Sequence, residues 1–115
     1  MAVFKYEKTI EVELGEEVYL KLVHPNHGTD SFTMVDVPVG NDSDFRNEQK
    51  VFLGIGEDLL SERTLVYSKA FNVDKAQDSI NLQFEVKDTV VVNHTNKKSV
   101  DESPQLKIKL KFTEV

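Results

Sequence analysis

At 115 residues, 39% of them hydrophobic, the chain has enough material for one buried core and too little for two ordinary domains. It has no cysteine, which excludes disulfides, thiolate metal sites and cysteine nucleophiles. Its formal charge of −6, from 20 acidic and 14 basic residues, argues against a reader of nucleic-acid backbone phosphates.

The charge is unevenly spread. Between Asn26 and Glu62 eight acids stand against two bases, and the rest of the chain balances at twelve of each. No apolar stretch is long enough to span a bilayer, so no membrane partner is expected. The start, Met1 to Lys8, lacks the apolar run of a signal peptide, and the compartment expected on that ground is the cytoplasm.

In chain order, Phe4, Tyr6, Ile10, Val12 and Leu14 share one parity, with Lys8 where an apolar residue is expected. A kink or bulge at Lys8 between two short strands accounts for the break. Gly15-Glu16 makes a turn before a strand with Val18, Leu20 and Leu22 facing in. Tyr19 opposes that face, either exposed or supporting a second packed surface. His24 to Asp30, with Pro25 and Gly28, is turn material. Extended character resumes from Phe32 to Val39, with Thr33, Val35 and Val37 on one parity and Phe32 and Met34 on the other.

Gly40 to Gln49 reads as a polar, acidic loop, with Phe45 either anchored in the core or offered to a partner. Val51, Leu53 and Ile55 form a short strand, followed by one helical turn around Leu59 and Leu60. Thr64 to Phe71 and Ile80 to Lys87 are the next strands, the second alternating cleanly. Val90 to Val92 follow, and Asn93 to Pro104 reads as a loop. In the last strand Leu106, Ile108, Leu110 and Phe112 alternate with Lys107, Lys109 and Lys111, a dry side and a wet side.

Seven or eight short strands with no long amphipathic helix predict one all-β domain over residues 1–115, an antiparallel β-sandwich. An immunoglobulin-like arrangement is the commonest way to place seven strands, although the Cys-Trp-Cys signature is absent. A small β-barrel is the alternative.

Chemistry has few places to sit. His24, His27 and Asp30 form an acceptable zinc ligand set, with His94 as a third imidazole, but the spacing matches no structural zinc signature. The plainer reading is two solvent-exposed loop histidines. Asp36, Asn41, Asp42, Asp44, Asn47 and Glu48 offer oxygen ligands for calcium, without the glycine and final glutamate of an EF-hand. A solvated acidic loop is the plainer reading there. No cofactor is expected otherwise.

The outward lysines 107, 109 and 111, Tyr19 and Phe45 are the interaction candidates. The lysines are expected to face Glu11 and Glu13, or Gln83, Glu85 and Lys87, on neighbouring strands. The expected function is a noncatalytic module for protein–protein contact or homo-oligomeric assembly. The alternatives are carbohydrate or calcium binding by the 26–47 loops, and a small hydrolase using His24, His27 or His94.

Overall fold

The computed structural model describes residues 3–25 and 28–115. Its strands are β1 (Val3–Val12), β2 (Glu17–Val23), β3 (Asp30–Asp36), β4 (Ser43–Arg46), β5 (Gln49–Ile55), β6 (Thr64–Phe71), β7 (Ser79–Val86), β8 (Thr89–Lys97) and β9 (Gln105–Glu114). A single helical turn, α1 (Gly56–Leu59), follows β5 and buries Leu59.

The alternation in β9 sets the architecture. Leu106, Ile108, Leu110 and Phe112 are buried, so β9 presses one face inward and leaves its lysines on the other. It pairs antiparallel with β6 and parallel with β1, from Val3 opposite Gln105 to Val12 opposite Glu114. The full order of this sheet is β1-β9-β6-β3-β4, and the opposing sheet is β5-β2-β7-β8. Two open sheets face each other, so the fold is a β-sandwich; the barrel alternative fails because neither sheet closes.

Only β3–β4 and β7–β8 join neighbours within a sheet; the other six connections cross between layers. The inner face is supplied by the alternating positions of each strand. Leu20 and Leu22 of β2 and Ile80, Leu82, Phe84 and Val86 of β7 meet the β9 row. Each fully buried side chain of this kind contributes about 1.5–3 kcal/mol. Gly56 begins α1 where the chain passes the Glu13 carbonyl so closely that no Cβ fits.

Three expectations are corrected. β1 is one unbroken strand: it lies at a sheet edge, so Lys8, on the parity of Tyr6 and Ile10, reaches solvent without any bulge. The 40–49 segment contains β4, a ninth strand, whose inward residue is Phe45. β8 runs on to Lys97 through the expected loop, because its inward residues there are the polar but buried His94 and Asn96. β9 pairs antiparallel with β6 as expected, and its parallel pairing with β1 is the one parallel ladder among the described residues.

The β3–β6 part of the core is unusually polar. Ser31 and Thr33 of β3 and Thr64 and Ser68 of β6 all face inward and are buried. Thr33 and Ser68 satisfy each other, Oγ1 to Oγ at 2.9 Å. The Thr64 hydroxyl is buried with no hydrogen-bond partner among the described residues.

Candidate interaction surface

The residues expected to carry chemistry are dispersed. His24 follows β2 and is buried, correcting the exposed-loop reading. Its Nε2 lies 2.8 Å from Ser31 Oγ, and its backbone N–H donates to Glu48 Oε2 at 3.0 Å. Asn47, at φ +59°, accepts the Ser31 N–H on Oδ1 and donates its own N–H to the Ser31 carbonyl. His24, Asn47 and Glu48 thus clamp the β4–β5 turn onto the start of β3. Ser31 is fully shielded, so this His–Ser pair, although within the distance a hydrolase needs, presents no hydroxyl to a cleft.

His27 lies outside the described residues. Asp30 accepts the Asn72 side-chain amide at 3.3 Å, and Asp42 accepts the Val37 N–H at 3.0 Å. The Asp36 carboxyl is held above the usual carboxylate range, first by its hydrogen bond with Asp42 and then by the charge of that residue. Asp44 is exposed on β4, beside Met34. Among the described residues no group of three or more His, Asp or Glu side chains is placed to hold a metal ion.

His94 is 1% exposed and its ring is enclosed by Phe4 and Tyr6 of β1. Asn96 donates its amide to the Lys97 and Asp101 carbonyls, which turns its Oδ1 toward His94 Nε2 at 2.7 Å. Nε2 therefore carries the proton, and Nδ1 accepts from the Tyr6 hydroxyl at 2.6 Å. Burial pushes the imidazole below its ordinary pKa, only partly offset by the Asn96 bond and the Asp101 charge. Burial also raises the Tyr6 hydroxyl. This is a polar bolt between the two layers.

Phe45 is buried and acts as an anchor. Of the two alternatives for Tyr19 the structure shows the exposed one, its ring 5.2 Å from that of Phe52, with Lys50 Nζ 5.1 Å from the Tyr19 centroid. Beside this pair a groove of about 370 Å³ crosses the outer face of the four-stranded sheet, lined by Glu17, Lys21, Glu85 and Lys87 among others.

The lysine row lies elsewhere, on the outer face of the five-stranded sheet, and its neighbours differ from those expected. Register sets Lys107 between Lys5 and Tyr67, and Lys109 between Glu7 and Leu65, with Lys111 beside Thr9. Two rows then cross the sheet. One reads Lys5, Lys107, Tyr67, Met34, Asp44; the next reads Val3, Gln105, Lys69, Phe32, Arg46.

Between these rows lies a groove of about 460 Å³ floored by Val3, Phe32, Met34 and Tyr67 and flanked by Lys69 and Lys107. Met34 is 50% exposed, and Lys107 Nζ sits 5.8 Å from the Tyr67 centroid. Among the described residues the one close ion pair joins Lys87 to Glu16, on the other sheet; Lys5, Arg46, Lys69 and Lys107 have no carboxylate within that distance.

The groove residues Val3, Phe32, Met34, Tyr67 and Lys69 were not singled out from sequence. The signal was present: β3 and β6 carry apolar side chains on both parities, which a strand with a wet outer face does not need. No family model, curated protein or solved structure matches the chain. No described helix is long and apolar enough to cross a membrane.

Proposed function

We propose that this protein is a noncatalytic binding module whose working surface is the outer face of the five-stranded sheet. Its partner is a protein segment that presents acidic side chains around apolar ones. The observation that carries this reading is an apolar groove flanked by Lys69 and Lys107, with Lys5 and Arg46 at the ends of its two rows against one acid, Asp44, in a chain of charge −6. Cations flanking an apolar groove favour a partner that carries acidic side chains. Phe32, Met34 and Tyr67 supply the desolvated contact, and the cations set orientation and rate.

Titration of the isotope-labelled protein with two synthetic peptides tests this. One alternates Glu with Phe and Leu; the other carries Lys in place of Glu. The acidic peptide is expected to shift amide resonances of β3, β6 and β9, to bind more weakly as salt rises, and to lose affinity in Lys107→Glu. Equal binding of both peptides, or no binding of the acidic one, overturns the reading.

The Tyr19–Phe52 pair favours a second reading, a neutral oligosaccharide stacked on the other sheet with Lys21 and Glu85 bonding its hydroxyls. Saturable shifts of β2 and β5 amides with soluble glucans would support it.

A further inference from the structure

A sheet edge invites another strand unless something guards it, and the four edges of this sandwich are not guarded alike. β1 carries Lys5, Glu7, Lys8 and Glu11, and Lys8 lies on the inward parity, where strand addition would bury its charge. β4 is four residues long, with Asp44 and Arg46. β5 has Lys50, a register shift against Val18–Tyr19, and Gly54 at φ +149°. β8 differs: from Thr89 to Asn96 it has no charged side chain and no proline.

Its ladder with β7 shifts register only near the hairpin and runs regularly from Val92 to Lys97. Among the described residues no strand pairs with its other side. Such a run of β-branched and amide side chains along an open edge is what strand addition uses.

We infer that β8 is a self-association edge, and that the occupant is β8 of a second copy of this chain, running antiparallel. A second copy brings an edge that is equally uncharged and equally open, so the pairing is self-complementary. Pairing centred on His94 sets Asn93 against Thr95 of the second copy and Val92 against Asn96, so no like charges meet. The two four-stranded sheets become one of eight strands. Pairing two β1 strands would instead require Lys8 to be desolvated. This inference stands on the edge and is independent of the groove on the opposite sheet.

Sedimentation velocity over a broad concentration range tests it. A reversible dimer is expected, and because each copy carries −6, added salt should strengthen it. Salt should do the reverse to acidic-peptide binding at the lysine face, so the two proposals fail separately. Thr95→Lys places two ammonium groups on diagonal positions across the pairing and should raise the dimer Kd roughly two- to fivefold. Lys107→Glu should leave the dimer unchanged.

A monomer at every concentration overturns the inference, as does a dimer weakened by Lys107→Glu and indifferent to Thr95→Lys. Should Thr95→Lys not fold, amide exchange of the unaltered protein decides. β8 amides directed away from β7 must gain protection as concentration rises, and constant exchange there overturns the edge pairing.

Discussion

The Tyr6 hydroxyl meets His94 Nδ1 at 2.6 Å, joining β1 of one sheet to β8 of the other. The two residues are 88 positions apart, so the bond ties the first strand to the eighth across the side of the sandwich where both are edge strands. Tyr6→Phe leaves the His94 acceptor buried and unpaired. A loss of about 1–3 kcal/mol is expected, measured by urea unfolding at neutral pH.

The same imidazole makes stability depend on pH. Burial depresses its folded pKa below the ordinary 6.5, so as pH falls below that value the unfolded chain takes up a proton before the folded one does. Stability is therefore full above that pH and is lost as pH falls toward the depressed folded value. Tyr6 stays neutral throughout this window, and Asp101 only moderates the effect. Unfolding free energies of His94→Gln measured over the same series should lose this component of the slope.

Two phenylalanines separate anchor from surface. Phe45 is 5% exposed and Phe52 is 48% exposed. Phe45→Ala should cost about 3–5 kcal/mol, the range for a truncated buried ring. Phe52→Ala should cost less than about 1 kcal/mol in the same thermal melts, since a surface change away from the core moves stability little.

Thr64→Val replaces a buried hydroxyl that has no partner among the described residues with a methyl group of similar size. Removing an unsatisfied polar atom should stabilise the fold by about 1 kcal/mol and raise the melting temperature. A lowered melting temperature would show that the hydroxyl is bonded in solution.

The β7–β8 hairpin turns through two residues, Lys87 and Asp88, at φ +55° and +60°. Both positions of such a turn require left-handed backbone, which favours glycine or asparagine. Asp88→Gly should therefore stabilise the hairpin by about 0.5–1 kcal/mol. Lys87 is better left alone, because its ammonium group donates to the Glu11 carbonyl at 2.8 Å and pairs with Glu16 at 3.2 Å.

That turn also shows why some elements were legible in the sequence and others not. β2, β7 and β9 announce themselves because their inward positions are all large and apolar, so side-chain period and burial coincide. β8 does not, since it buries His94 and Asn96, and their hydrogen bonds are invisible until Tyr6 and Asp101 are placed beside them. β4 buries a single side chain, Phe45, too little for a period.

In β3 and β6 apolar residues occupy both parities, and alternation alone does not say which of them faces in. Thr33 and Ser68 take the inner positions, and Phe32, Met34 and Tyr67 look outward. The lysines form the outward row that alternation predicts; their neighbours depend on strand order, which alternation does not contain.

The parallel ladder between the first and last strands carries a mechanical consequence. Traction applied at Val3 and at Glu114 pulls β1 and β9 along their own lengths in opposite directions. The rungs between them then share the load at once, where a peeling geometry would break them one by one. A chain stretched between its ends should therefore yield abruptly and at high force, as a shear clamp does, with the rest of the sandwich released only after that ladder gives way.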